Sequence, residues 1–196
     1  MNTVTLTVTD NNSNVSICPS QVSVEDNVLP ECVAQDIIVQ LDASGQAIID
    51  VTSIDNGSSD ACGILSRTID VTDFDCTNIG MNTVTLTVTD NNNNVSTCES
   101  EVSVEDNVLP ECVAQDITVQ LDASGQTVID VMSIDNGSSD ACGILTRTID
   151  LTDFDCTNIG MNTVTLTVTD NNNNVSTCPS QAVSYTHLTL PTNREV

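Results

Sequence analysis

Carboxylates and amides, not nucleophiles or bases, are the residues of this chain that could do chemistry. Two groups of them recur at one spacing. The first is Glu25, Asp26, Asn27, Asp55, Asp60, Asp90 and Asn92; the second, 80 positions on, is Glu105, Asp106, Asn107, Asp135, Asp140, Asp170 and Asn172. Ca²⁺ takes its ligands from carboxylates, side-chain amides and backbone carbonyls. If each group gathers at one end of a folded module, its charges repel unless a cation offsets them. Ca²⁺ is therefore the expected cofactor, and these residues are its expected ligands. The competing reading is plainer: Asp and Asn are good turn residues because their side chains hydrogen-bond their own backbone.

Other chemistries lack their parts. The chain carries 28 Asp and Glu against 3 Lys and Arg and 1 His. That His is His187, no Lys is present, and the Ser residues sit in turns without a base, so general acid–base and nucleophilic catalysis have no inventory. Asp pairs alone could evoke a glycosidase, but no aromatic platform would hold a sugar. No catalytic residue is expected, and the chain reads as not an enzyme. The net charge of −25 repels nucleic acid and anionic lipid, so neither is an expected partner and no membrane insertion is expected. Asp90-x-Asn92-x-Asn94 resembles the start of an EF-hand loop. Val95 stands where that loop needs Gly, and the twelfth position is Glu101 in one copy and Gln21 or Gln181 in the others.

The elements that would position these groups come from a repeat. MNTVTLTVTD begins at Met1, Met81 and Met161. Asp26–Cys98 and Asp106–Cys178 differ at six of 73 positions: 38, 47, 48, 52, 66 and 71. Such regularity means like modules in series. Val84, Leu86 and Val88 alternate with Thr, the period of a strand with one buried face. Asp90–Asn94 is a tight connection, and Val95–Glu105 a second strand, so the unit is a hairpin. Upstream, strands are expected over 33–41, 46–54, 64–71 and 72–76, with polar turns between them and no helical periodicity anywhere. Short strands at this spacing predict an antiparallel β-sandwich. The organisation expected is 1–25, the final hairpin of a truncated repeat; 26–105, a whole repeat; 106–181, a second; and 182–196, a non-native tail. Val183–Leu188 is what GTC TCT TAT ACA CAT CTG encodes, the mosaic-end adaptor of transposase-made sequencing libraries, so the tail is left out of fold reasoning.

Nine Cys, four per repeat, imply disulfides and an oxidising, extracellular setting, with any signal peptide outside this sequence. Zinc is disfavoured because no C-x-x-C occurs. Arg67, the one cation of its repeat, is expected to pair with a neighbouring Asp.

Pro30-Glu31-Cys32-Val33-Ala34-Gln35-Asp36-Ile37, Asp55-Asn56-Gly57 with Asp60-Ala61-Cys62-Gly63, Asn82–Asp90, and Ser96-Thr97-Cys98 together resemble the hyalin repeat (HYR) family, most closely the HYR-like arrays of large bacterial surface adhesins. The resemblance implies an all-β fold of tandem Ig-like sandwiches in an elongated array, an extracellular place, and adhesive or spacer roles. Many HYR modules carry a second Cys just after the first strand. This chain has Cys76 instead, so the family's inner bridge does not transfer directly. First and last strands are often neighbours in Ig-like sandwiches, which pairs Cys32 with Cys98 and Cys112 with Cys178. The remainder gives Cys62–Cys76 and Cys142–Cys156, one of the three pairings that four cysteines allow. By analogy with cadherin-type arrays, the acidic groups would bind Ca²⁺ at the junctions. The function expected is a disulfide-stapled, calcium-stiffened stalk whose partners are neighbouring repeats of the same chain. The rival is a recognition module that binds an extracellular glycan or protein through its loops. Loops of a recognition module should vary between copies, yet all six differences avoid Asp55–Cys62 and Asp90–Asn94.

Overall fold

The computed structural model describes residues 1–185. The first strands, β1 (Asn2–Thr9) and β2 (Val15–Val22), form an antiparallel hairpin that is a two-stranded sheet to itself. The first full repeat follows as β3 (Ile37–Gln40), β4 (Gln46–Ile48), α1 (Val51–Ile54), β5 (Ile64–Ile69), β6 (Asp73–Asp75), β7 (Gly80–Asp90) and β8 (Val95–Glu105). The second repeats the series as β9 (Ile117–Gln120), β10 (Gln126–Val128), α2 (Val131–Ile134), β11 (Ile144–Ile149), β12 (Asp153–Asp155), β13 (Gly160–Asp170) and β14 (Val175–Tyr185). Each repeat has a four-stranded sheet, ordered β3-β8-β7-β5 or β11-β13-β14-β9, and a two-stranded one, β4-β6 or β10-β12. The fold is all-β, with a four-stranded and a two-stranded sheet in each repeat.

The period-two pattern does what its chemistry requires. Val84, Leu86 and Val88 on β7 and Val102 on β8 are 0 % exposed, while the intervening threonines stay partly wet. In the second repeat Val119, Leu121, Ile134, Phe154, Val164, Leu166, Val168 and Ala182 form one cluster. With almost no aromatics, the core is made of branched aliphatics and one Phe per repeat, Phe74 or Phe154.

By internal packing the described chain divides into two compact units. The first holds 1–37, 50–71 and 83–101; the second holds 38–49, 72–82 and the chain from Val102 onward. The second unit therefore takes in three segments of the first repeat, 38–49, 72–82 and the end of β8 from Val102 to Glu105.

Four expectations need correction. The strand expected over 46–54 ends at Ile48, and Val51–Ile54 is a single helical turn. Asp50 causes this by accepting hydrogen bonds from the Thr52 and Ser53 amides, an N-cap that a four-residue turn with no periodicity cannot advertise. The sandwich is not wholly antiparallel, because β9 pairs parallel to β14, with Ala182 opposite Ile117 and Ser184 opposite Val119. Ala182–Tyr185, set aside with the tail, complete β14, and Ala182 and Ser184 are fully buried. Sheet pairing uses backbone groups, and Ala-Val-Ser-Tyr keeps small residues at the two inward positions. His187, Arg194 and the rest of the expected tail lie outside the described residues. The fourth correction concerns cysteines.

Cys32 is joined to Cys98 and Cys112 to Cys178, each across 66 residues. Cys62–Cys76 and Cys142–Cys156 do not form. Instead Cys76 is joined to Cys142, a bond from the first repeat to the second that lies wholly within the second compact unit. Cys18, Cys62 and Cys156 are free and exposed.

Candidate functional site at the acidic junctions

The chain enters the second repeat at Asp106. The Asn174 amide, on the β13–β14 turn, donates to the Asp106 carbonyl at 3.0 Å and fixes this entry against the hairpin. Asp106 Oδ1 accepts from the Val108 amide at 3.0 Å. Its Oδ2 is buried with no hydrogen-bond partner, and the residue is only 6 % exposed. Asp140 lies in the loop before β11, its Oδ1 accepting from the Cys142 amide at 2.8 Å. Ligand atoms of Asp106, Asp140 and Cys142 fall within 4.8 Å of one another. The sulfur of Cys142 is held in the bond to Cys76. A disulfide sulfur carries no thiolate charge and does not attract a hard cation. What remains is a pair of carboxylates, one with a buried, unpartnered oxygen. Such an oxygen is costly to leave unpaired, and a cation would offset it.

The first repeat repeats the arrangement with one change. Asp26, Asp60 and Cys62 also lie within 4.8 Å of one another, and Asn94 donates to the Asp26 carbonyl at 3.2 Å. Here Cys62 is a free thiol. Its hydrogen bond to Asp26 and the Asp26 charge push its pKa up; burial, Asp60 and Asp90 add to the effect. It stays protonated and is a poor ligand for hard cations.

Most of the other expected ligands are engaged elsewhere. Asp55 Oδ2 lies 3.1 Å from Arg67 Nε and Asp135 Oδ2 lies 3.1 Å from Arg147 Nε. The Arg147 contact is an ion pair without hydrogen-bond alignment at Nε. Each guanidinium also donates to the carbonyl of Ser58 or Ser138. Asp90 and Asp170 are 0 % exposed and close their own hairpins. Asp90 Oδ1 accepts from the Asn92 and Asn94 amides, and Oδ2 from the Asn94 side chain; Asp170 does the same with Asn172 and Asn174. Burial works against the Asp90 charge, but these bonds prevail and hold its carboxyl below the ordinary value. Asn93 and Asn173 take up left-handed backbone, at φ 70° and 69°, as turn Asn residues tolerate. Asn172 Oδ1 is buried without a partner. Glu25 and Asn27 are exposed. Glu105 and Asn107 are bound to Gln40, through Gln40 Nε2 to Glu105 Oε2 at 2.8 Å and Asn107 Nδ2 to Gln40 Oε1 at 2.6 Å. Of the fourteen expected ligands, the structure thus draws together Asp26 with Asp60 and Asp106 with Asp140.

The cysteine beside each pair was missed, as was the bond to the next repeat. A signal for that bond existed: Cys76 and Cys142 stand 66 apart, the separation of the other two bridges.

No protein-family model and no curated protein matches the chain. Solved structures similar to it include human protocadherin-24 EC1-2, at 12% identity over 82% of this chain and 100% of that one, with a TM-score of 0.45. Mouse clustered PcdhgC3 EC1-3 is similar at 11% identity over 93% of this chain and 76% of that one, with a TM-score of 0.39. The extracellular cadherin domains 1-4 of protocadherin gamma B7 are similar at 12% identity and a TM-score of 0.38, over 90% of this chain; the chain spans 56% of that one.

Proposed function

We propose that this chain is a non-catalytic structural and adhesive repeat of a large secreted cell-surface protein, akin to HYR-like arrays, serving as a disulfide-stapled stalk. The observation that carries the reading is the Cys76–Cys142 bond. A covalent tie from one repeat to the next gives nothing to an independent recognition module. In a stalk it closes a second connection beside the single stretch of chain that leaves β8 at Glu105 and enters the second repeat at Asp106, and restrains that hinge. The other two bonds set the load path. Tension entering near Cys32 crosses to Cys98, then to Cys112 and Cys178, leaving the 66-residue span of each bond out of the path.

Two measurements test this. Non-reducing peptide mapping should recover Cys76 joined to Cys142; recovery of Cys62–Cys76 would leave successive repeats tied by one strand of chain and defeat the reading. Single-molecule pulling on the oxidised protein should show no long extension steps. After reduction each opened 66-residue span should release roughly 200 Å, at about 3.3 Å per residue.

The same proposal puts a calcium ion at Asp106 and Asp140. The support is the buried, unpartnered Asp106 oxygen within a two-carboxylate cluster; backbone carbonyls and water would complete the shell. At ten times Kd one site adds about 1.4 kcal/mol by mass action. Calorimetry at millimolar Ca²⁺ should register binding that Asp106→Asn with Asp140→Asn removes. If the wild-type protein gives no heat and its melting temperature ignores EDTA, the carboxylates are solvated turns.

A further inference from the structure

The loop between α1 and β5, and its copy between α2 and β11, each hold a dipeptide that the stalk leaves unused: Asn56-Gly57 and Asn136-Gly137. Each dipeptide is pinned on both sides. The Asn56 amide donates to the Val33 carbonyl at 2.9 Å, and Glu31 and Ser59 exchange backbone bonds at 2.8 and 3.0 Å. Ser58 is buried, with its amide on Asp55 Oδ1 at 3.1 Å and its hydroxyl accepting from the Val33 amide at 2.9 Å. The second copy keeps these anchors, from Asn136 to Val113 at 2.9 Å, between Glu111 and Ser139 at 2.8 and 3.1 Å, and from Ser138 to Asp135 Oδ1 at 3.1 Å. Asp55 is bound as well, its amide donating to the Val51 carbonyl. Across 55–59, the one peptide amide without a partner among the described residues is that of Gly57; across 135–139 it is that of Gly137.

Asn56, Gly57, Asn136 and Gly137 are all exposed, and neither asparagine side chain has a hydrogen-bond partner among the described residues. Gly57 and Gly137 take left-handed backbone, at φ +93° and +92°, and a Cβ on either would meet nothing within 4 Å. A free side-chain amide thus stands beside a free peptide nitrogen with open space around it. We propose that Asn56 and Asn136 are sites of self-modification, where the side-chain amide is lost to the following glycine and the residue becomes aspartate or isoaspartate. The Gly57 nitrogen gives up its proton and attacks Asn56 Cγ. The Cγ–Nδ2 bond breaks, the leaving nitrogen takes up the proton, and ammonia departs from a cyclic imide. Water then adds to one of the two imide carbonyls and breaks its bond to the Gly57 nitrogen. Opening at Cγ gives aspartate. Opening at the main-chain carbonyl gives isoaspartate, with the chain running on through Cβ and Cγ. No oxidant is needed: amide and water become carboxylate and ammonium. Each event adds one negative charge, and the isoaspartyl form puts an extra carbon into the main chain between the Asn56 and Ser58 anchors.

Asparagine is thermolabile in general, but other asparagines of the chain are held or crowded. Asn91 donates its side-chain amide to the Cys62 carbonyl at 2.9 Å, and Asn94 to Asp90 Oδ2 at 2.7 Å. Asn78 Oδ1 accepts from the Asp75 amide at 2.9 Å. Asn27 and Asn107 precede Val, whose branched Cβ stiffens and crowds the residue that would have to attack. Glycine has no Cβ and moves freely through the conformations that ring closure requires.

The test incubates the oxidised, folded chain in mildly alkaline buffer made with heavy-oxygen water, followed by peptide mass spectrometry. Heavy oxygen should enter at positions 56 and 136 ahead of every other asparagine. Isoaspartyl methyltransferase should then label both positions, and anion exchange should resolve forms with one and two added charges. Asn56→Gln, whose longer side chain does not close this ring readily, should silence the first position. Because the Asn56 side chain is exposed and unpartnered, that variant should keep the wild-type melting temperature and the wild-type rate at Asn136. Retention of both amides in the folded chain, when the same chain in guanidinium loses them, would overturn the inference by showing that the fold protects these loops. Label appearing first in the Asn91–Asn94 run would overturn it as well. Neither result bears on the Cys76–Cys142 bond or on the stalk.

Discussion

The same ten residues, MNTVTLTVTD, stand in two quite different places. In β7 they bury Val84, Leu86 and Val88 completely. In β1 the equivalents Val4, Leu6 and Val8 are 54 %, 62 % and 55 % exposed. Pairing does not distinguish them, since β1–β2 keep a full antiparallel register from Asn2–Val22 to Thr9–Val15. Nor does the turn: Asp10 Oδ1 accepts from the Asn12 and Asn14 amides just as Asp90 does from Asn92 and Asn94. What β1–β2 lack is a third strand and an opposing face. Local sequence makes the hairpin, and the other strands of a repeat make it a core. An isolated two-stranded hairpin is marginal in water.

That contrast can be broken most sharply at the cysteines. Replacing Cys98 with Ser opens the 66-residue span and should cost about 4 kcal/mol on the chain-entropy account. Cys18→Ser, at the equivalent position, should leave the denaturant midpoint where it was. Leucine gives the next largest effect. Leu86→Ala should lower stability by about 3 kcal/mol through a buried cavity, while Leu6→Ala should change it by less than about 0.5 kcal/mol. Equal losses for the two leucines would mean that β1–β2 has found a face to cover.

The smallest effect sharpens the comparison through pH. Hydrogen bonds hold the carboxyls of Asp10 and Asp90 below their ordinary value, as the Thr85 amide does for Asp70. A carboxyl lowered in the folded state stabilises fully above its unfolded pKa and loses that contribution as pH falls through the folded value. Melting temperature should therefore hold at neutral pH and fall below about pH 4. Asp90→Asn should lower it at neutral pH and flatten the acid limb, whereas Asp10→Asn should change neither. An acid limb untouched by Asp90→Asn would assign the loss to other carboxylates.

Much of the fold was legible because it rests on local rules. Alternating Val and Thr marked β7 and β13, and the Asp-Asn runs marked their turns. The helical turn at Val51–Ile54 was not legible, since Val-Thr-Ser-Ile suits a strand as well and only the Asp50 cap decides. The parallel pairing of β9 with β14 left no trace in either strand's pattern. For the site, the sequence offered acidic residues but not their competing engagements. The sequence pairs Arg67 with an Asp and makes Asp55 a cation ligand; in the structure the two form one ion pair, so only the first use is open. The cysteines fail for a different reason. In a periodic chain, a bond within a repeat and a bond to the next repeat use the same two residue types at the same two positions. Nothing local separates Cys62–Cys76 from Cys76–Cys142.

That ambiguity carries a consequence for how such a gene can change. The bond joins the 76 position of one copy to the 62 position of the next, so its register is the repeat itself. The copies are near-identical with an 80-residue period, so recombination between them would gain or lose whole periods. Each such event brings one new Cys76-type residue and one new Cys62-type residue together, or removes one of each. Length can then drift from generation to generation while every internal cysteine keeps a mate.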